Sequence, residues 1–214
     1  IGSSVAAEMA VSRGALAIIG AAWSSHSIAA AKVAQQGGVP MITNISTNPE
    51  ITRIGDYIFR ACYTDEFQGY IMAVFAREEL KADTALIFTD LTSDYSIDLA
   101  RIFAEHFRQR GGRVLMECEY KLKQLEIDRI VERTAGIDAD LYFFSGHDES
   151  ASIAEELQRA GRRAIPTGGD AWGEKIFMQR GGDKLKNAYY CVHWSADMDS
   201  ELSRNFVKKY KDLE

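Results

Sequence analysis

The sequence contains few cysteines, and they are scattered. Its 214 residues include three, Cys62, Cys118 and Cys191. A disulfide framework or a CxxC metal site needs more cysteines at closer spacing, so neither is expected. Small apolar core residues are the simplest interpretation of the three. Cysteine content therefore leaves the redox compartment open, and the sequence predicts no metal site and no cofactor.

Long apolar runs and blocks of basic residues are also absent. The longest apolar stretches, such as 15–23, are strand-sized and interrupted by Gly20, whereas a membrane span needs about 18 apolar residues. With 25 Lys+Arg against 31 Asp+Glu, the net charge is −6, which disfavours nucleic acid or an anionic membrane as the main partner. The composition, 46% hydrophobic and 26% charged, is ordinary for a globular chain. We expect neither nucleic-acid binding nor direct membrane insertion.

Common catalytic and phosphate-binding motifs are missing as well. The sequence has no GxSxG, GxxxxGK[ST], GxGxxG or HExxH string. Ser24, His26 and Asp170 can be drawn as a triad, but Ser24 and His26 lie on one local turn, so the combination carries little information. We therefore expect a protein that is not an enzyme and has no catalytic residues.

Strand-like and helix-like segments alternate along the chain, which is typical of an α/β fold with parallel sheets. The alternation forms two series, 1–64 and 65–195, and 196–214 adds a terminal helix. The predicted strands lie at 15–20, 39–43, 57–60, 85–89, 114–120, 141–144, 164–167 and 189–193.

Two helix starts carry specific capping predictions. Ser24 or Ser25 would be the N-cap of a helix that ends at Gly37. Asp65 would begin the helix that opens the second series and would form a capping box with Gln68, three residues on.

In open parallel sheets, ligands bind beyond the carboxyl ends of the strands. The loops at these positions carry hydroxyl groups, a helix start that favours an anion, and the carboxylate of Asp170. Donors on one side and a carboxylate on the other suit a zwitterion such as an α-amino acid. The candidate ligand-binding residues are Ser24, Ser25, Ile45, Ser46, Thr47, Tyr95, Gly146, His147 and Asp170.

Several candidates have a purely structural alternative. Thr47 could organise the turn that follows it, Tyr95 could be a half-buried aromatic, and Asp170 could cap the next helix. The structural alternative for the four histidines, His147 included, is a solvated or core side chain, and we interpret Trp23 and Trp172 as packing residues.

Several short strings follow one another in a set order along nearly the whole chain. They are AIIG (17–20) followed by SS (24–25), TNISTNPEIT (43–52), GDYIFR (55–60), DEFQG (65–69), SDYS (93–96), GGDAW (168–172) and HWSAD (193–197). The ordered set resembles the type I periplasmic binding proteins, and among them the branched-chain amino-acid-binding proteins of ABC importers. This resemblance implies two Rossmann-like lobes with parallel sheets and flanking helices, the first lobe being incomplete.

By this resemblance, the first lobe binds the carboxylate of the ligand. The hydroxyls of Ser24 and Thr47 would donate to that group. The backbone at Ile45, beside Ser46, would face the same group.

The second lobe would bind the ammonium group and cover the ligand. Asp170 would pair with the α-ammonium, and Tyr95 would lie over the ligand. Gly146 stands where relatives often carry an aromatic side chain, and His147 follows it, which predicts a wider pocket for the ligand side chain.

The resemblance implies an extracytoplasmic solute-binding protein. It would bind a small amino acid, branched-chain or otherwise aliphatic, between its lobes and deliver it to an ABC permease. The location would be periplasmic or extracellular, and a lipid anchor could lie in a segment outside this sequence. The alternatives are a ligand-sensing domain of a receptor or regulator with the same fold, and a Rossmann-like enzyme, which would need the glycine-rich phosphate loop that is missing.

The 214-residue chain alone is expected to bind amino acids poorly. The resemblance places one strand and helix before Ile1 and the rest of the first lobe after Glu214, which would leave an open sheet edge and exposed apolar surface. Calorimetric titration of this chain with leucine, isoleucine and valine should therefore show no millimolar or tighter binding. Millimolar or tighter binding would contradict the expectation.

Overall fold

Strands and helices alternate along residues 2–213, the part of the chain that this computed structural model describes. Expectations about segments before Ile1 and after Glu214 lie outside it. The strands are β1 (Ile18–Ile19), β2 (Met41–Thr43), β3 (Ile58–Arg60), β4 (Thr84–Asp90), β5 (Arg113–Tyr120), β6 (Leu141–Phe144), β7 (Ile165–Gly168) and β8 (Tyr189–Tyr190). The helices are α1 (Gly2–Ser12), α2 (Ser24–Gln36), α3 (Glu50–Arg53), α4 (Asp65–Glu78), α5 (Asp94–Gln109), α6 (Ile127–Arg133), α7 (Glu149–Arg159), α8 (Lys175–Gln179) and α9 (Glu201–Lys211).

The strands form two parallel sheets, which confirms the predicted α/β fold. The first sheet has the order β1-β2-β3, and the second has the order β5-β4-β6-β7-β8. All pairs are parallel. β4 and β6 are buried along their whole length, because helices cover both faces of a parallel sheet. Within residues 2–213, no helix is long and apolar enough to cross a membrane.

The second sheet carries a core on each face. Because successive strand residues point to opposite faces, Phe143 joins the core beneath α4 and α5, whereas Phe144 joins the core beneath α7. The ring of Phe143 stacks on that of Phe103 at 3.8 Å between centroids. Gly69 lets α4 and α5 approach closely, since a Cβ there would lie 2.6 Å from the side chain of Ile102.

One face of the first sheet is uncovered. Ile19, Ile42 and Phe59 are register partners on adjacent strands and therefore share a face. Their exposed fractions are 81%, 37% and 50%. The prediction of exposed apolar surface in the first series is confirmed at this face.

Several local predictions are wrong. The N-cap of α2 is Trp23, and Ser24 and Ser25 lie inside the first turn. The N-cap of α4 is Thr64, whose hydroxyl accepts from the amide of Phe67 at 3.3 Å. Ser24 and Gln68 instead make hydrogen bonds to residues distant in the sequence, Asn48 and Asp170, which the local sequence does not reveal.

Two predicted strands are much shorter in the structure, and one predicted loop contains a helix. The strand predicted at 15–20 is limited to β1, and the one predicted at 189–193 ends at Tyr190. The loop predicted between β2 and β3 contains α3. β1 is short because only Ile18 and Ile19 pair with β2, and β8 ends at Tyr190, the register partner of Gly168 at the end of β7.

Asp140 joins the entry of β6 to the entry of β4. Its Oδ2 accepts from the amides of Asp83 and Thr84, both at 2.9 Å, and from the hydroxyl of Thr84 at 2.8 Å. Burial alone would raise the pKa of this carboxyl, but the hydrogen bonds from Thr84 and Asp83 outweigh it and lower the pKa. The ionised carboxylate therefore stabilises the start of the second sheet.

Replacement of Asp140 should destabilise the second sheet. We expect Asp140→Ala to lower the free energy of unfolding by about 1–3 kcal/mol, because hydrogen bonds to a charged acceptor are lost. Since the folded-state pKa is lowered, this stabilisation is present above the unfolded-state pKa of about 3.9 and is lost as the pH falls below it. Urea unfolding at neutral pH measures the effect, with exposed Asp138→Ala as the control, and equal values for both variants would contradict the role.

Candidate ligand-binding site

A cavity of about 320 Å³ lies between the two sheets. Its size is within the range of small-molecule sites. Each group of lining residues follows a strand, as the rule for parallel sheets requires. The groups are 22–24 after β1, 45–47 after β2, Tyr95 after β4, His147 after β6, 170, 171, 173 and 174 after β7, and 192–194 after β8.

The structure brings seven of the nine predicted site residues to this cavity. Two are elsewhere. Ser25 is exposed and lines a separate surface depression beside α1. Gly146 does not line the cavity, and a Cβ at this position would be directed at the side chain of Glu149 and the hydroxyl of Tyr120. The seven are Ser24, Ile45, Ser46, Thr47, Tyr95, His147 and Asp170.

Serine hydroxyls connect the loops on the side of the first sheet. The hydroxyl of Ser46 lies 2.9 Å and 3.0 Å from the carbonyls of Ala21 and Ala22, so it joins the loops after β1 and β2. The Oγ of Ser24 accepts from the amide of Asn48 at 3.3 Å. Because Ser24 acts there as an acceptor, its own hydrogen stays available to a ligand.

A nearly buried carboxylate forms the opposite wall. The side chain of Asp170 is 9% exposed. Its Oδ1 accepts from the hydroxyl of Tyr95 at 2.8 Å, and its Oδ2 lies 2.8 Å from the Nε2 of His193. Burial, and after it the charge of Asp170, raises the pKa of Tyr95 well above its usual value, so the phenol remains a donor.

Gln68 supports this wall from α4. It is fully buried, and its Oε1 accepts from the amide of Asp170 and from the thiol of Cys191, both at 3.2 Å. Burial, and after it the charge of Asp170, raises the pKa of the Cys191 thiol to about 12, so it stays a donor. The Nε2 of Gln68 donates to the Oδ1 of Asp65 at 2.7 Å. Gln68 therefore does not form the predicted capping box, because its Oε1 accepts from Asp170 and Cys191 and the amide of Asp65 donates to the carbonyl of Thr47 instead.

Aromatic rings and one hydrogen bond connect the two walls. The ring of His147 lies 5.3 Å from that of Trp23 and 5.0 Å from that of Tyr95. The Nδ2 of Asn48 donates to the Oδ2 of Asp98 on α5 at 2.8 Å. The imidazole of His147 lines the wall beside Gly146, and the wider pocket for the ligand side chain stays a prediction.

Several lining residues were not predicted as site residues. Trp23, assigned to packing, lies in the wall, and so do Glu174 and the segment 192–194. The predicted strand 189–193 includes Val192 and His193, so the prediction does not place these residues after a strand end. With β8 ending at Tyr190, the same rule identifies the whole segment.

The polar groups that line the cavity differ between its two walls. Among residues 2–213, no group of three His, Cys, Asp or Glu side chains is arranged to hold a metal. The cavity instead combines hydroxyls on one wall with a carboxylate on the other.

The sequence matches the family described as periplasmic binding protein over residues 1–213. The chain belongs to this family. A Leu/Ile/Val-binding protein homolog of Brucella melitensis is 22% identical over 187 residues, which are 86% of this chain and 50% of that protein. An amino acid binding protein of Pseudomonas aeruginosa is 26% identical over 152 residues, 70% of this chain and 40% of that protein.

Solved structures of periplasmic binding proteins superpose closely on the chain. The leucine binding protein LivK of Thermotoga maritima has a TM-score of 0.91 at 28% identity, and the match covers 99% of this chain and 61% of that one. LivJ of Streptococcus pneumoniae, solved with isoleucine, has a TM-score of 0.88 at 25% identity with the same coverage. The chain thus spans about half the length of the first curated relative and about three fifths of these structures. These relatives are substrate-binding proteins and not enzymes, as predicted for this chain.

Asp65 is a second buried acid close to the cavity, and Gln68 contacts both Asp65 and Asp170. It is fully buried at the start of α4. Burial raises the pKa of its carboxyl from the usual 3.8 to about 7, the charge of Asp170 adds to this, and hydrogen bonding from Thr47 and Gln68 opposes it. Below neutral pH, Asp65 is therefore neutral.

Stability should depend on pH through Asp65. Since its pKa is higher in the folded state, folding takes up a proton, and the free energy of unfolding should fall as the pH rises from about 4 to about 7 and then level off. Asp65→Asn should flatten this decline, whereas exposed Asp56→Asn should leave it unchanged. Urea unfolding across this range measures it, and an unaltered slope in Asp65→Asn would contradict the assignment.

Proposed function

We propose that the protein binds a small α-amino acid, branched-chain or otherwise aliphatic, in the cavity between the two sheets. The observation that carries this proposal is the Asp170 carboxylate. It is nearly buried and, within residues 2–213, no lysine or arginine pairs with it. A buried carboxylate without a full cationic partner is costly. The α-ammonium of an amino acid would supply the missing charge.

The opposite wall supports a carboxylate on the same ligand. Ser24 offers a hydroxyl hydrogen, and it begins α2, whose N-terminus favours negative charge. Thr47 and the backbone of Ile45 line the same side. An α-amino acid carries its two charged groups on one carbon, so it can meet both walls at once.

The lining also supports an apolar ligand side chain. Trp23, Ile45, Val192 and Trp194 contribute apolar surface to the cavity. Trp194 is held in place by its Nε1, which donates to the Oγ of Ser203 on α9 at 3.1 Å. The names of the relatives, which bind leucine, isoleucine or valine, favour the same ligand class.

Membership of the periplasmic binding protein family supports a cellular role. We propose that the protein acts outside the cytoplasm, in the periplasm or at the cell surface, and delivers the amino acid to an ABC permease. In this proposal, 1–64 and the returning helix of 196–214 belong to one lobe, and 65–195 form the other. The hydrogen bond between Asn48 and Asp98 would then close the cleft across the two lobes.

Removal of the Asp170 carboxylate should abolish amino-acid binding. In the natural full-length protein, we expect Asp170→Ala to weaken binding of the best amino acid about 100-fold or more, because the ammonium loses its charged partner. A thermal-shift screen against amino acids and small carboxylates identifies the ligand, and calorimetry measures its affinity.

Glu174 provides the matched control. It is the other carboxylate that lines the cavity, and no hydrogen bond or ion pair involves its side chain within the described residues. Glu174→Gln should therefore change the affinity far less than Asp170→Ala. Unchanged affinity in Asp170→Ala, or binding of carboxylates alone, would refute the zwitterion assignment.

A further inference from the structure

The ring of His193 packs on Tyr63, and its Nε2 hydrogen-bonds to Asp170. Its ring stacks on that of Tyr63 at 3.8 Å between centroids, with 27° between the planes. Its Nδ1 is buried and has no hydrogen-bond partner within residues 2–213. The Nε2 makes the one described side-chain hydrogen bond of His193, and the acceptor is the Oδ2 of Asp170.

The two donors on Asp170 are divided between its oxygens. Tyr95 donates to Oδ1, and His193 donates to Oδ2. An ionised carboxylate has about four lone-pair positions, so each oxygen retains one for a further donor. Because each oxygen has its own donor, rotation of the carboxylate about its terminal bond would break both hydrogen bonds.

We propose that His193 is a positioning residue that makes the site select ligands with an α-ammonium over carboxylates of the same shape. It holds the Asp170 carboxylate in the orientation in which its remaining lone pairs can meet an ammonium, and it lines the cavity itself. Without the Nε2 donor, only Tyr95 would restrain the carboxylate. This inference rests on the proposed amino-acid function, and it adds a residue whose effect depends on the ammonium.

A merely structural role for His193 predicts a different result. If the ring only packed against Tyr63, any change in its shape would weaken all ligands alike. If it positions Asp170, loss of the N–H donor should weaken only those ligands that use Asp170.

Two variants separate these roles in the natural full-length protein. His193→Phe keeps a planar ring against Tyr63 but removes the donor, whereas His193→Gln keeps an N–H donor. The probes are L-leucine and 4-methylpentanoate, which is leucine without its amino group. Calorimetry measures both affinities, and thermal unfolding of the ligand-free proteins checks the fold.

We expect His193→Phe to weaken leucine binding about 10-fold to 100-fold, the range for a lost hydrogen bond to a charged group. Binding of 4-methylpentanoate should change by less than about twofold. His193→Gln should restore most of the leucine affinity. The preference for leucine over its analogue should therefore fall in the Phe variant and recover in the Gln variant.

Each other outcome overturns the inference. An equal loss for both ligands indicates a structural role, and unchanged leucine affinity in His193→Phe removes any role. If the analogue binds too weakly to measure, equal leucine losses in the Phe and Gln variants overturn it. If the unsubstituted protein binds leucine and the variants do not differ, the proposed function stands and this inference fails. If it binds no amino acid at all, both fail.

Discussion

The nearly buried carboxylate of Asp170 is the constraint around which this site is arranged. A carboxylate removed from water must accept hydrogen bonds or meet a cation. Here Tyr95 and His193 donate to its two oxygens, and Gln68 holds its backbone amide. These partners come from α4, α5 and the segment after β8. Three separate segments around the second sheet therefore hydrogen-bond to this one residue. These donors stabilise the carboxylate, and each of its oxygens retains a lone pair for a further donor from a ligand.

The parallel sheets bring these distant residues together. In a parallel sheet, all strands end at the same edge, so loops separated by many residues become neighbours. The cavity lining comes from loops after six strands of both sheets. Where two of these segments come very close, a small residue is required. At Gly169, for example, a Cβ would collide with the hydroxyl of Tyr95.

Much of the fold and of the site was predictable, for identifiable reasons. β6 was predicted with its observed bounds, because a short run of large apolar residues between polar segments indicates a strand buried on both faces. Asp170 was predicted because it lies in the loop after the strand predicted at 164–167. Of the predicted site residues, Ser25 and Gly146 do not line the cavity, although their neighbours Ser24 and His147, also predicted, do. A shift of one residue changes the direction of a side chain, and the loop sequence carries no signal for that direction.

The linear order of residues was enough to predict the alternation of strands and helices, the family, and the loops from which the site is built. These depend on local periodicity and on strand ends, which are written along the chain. The contact of His193 with Asp170, and the support that Gln68 gives to the wall in place of a helix cap, are visible only in the folded chain. Both contacts join residues more than 20 positions apart, and no local pattern specifies which polar partner a buried group will meet once the helices have packed.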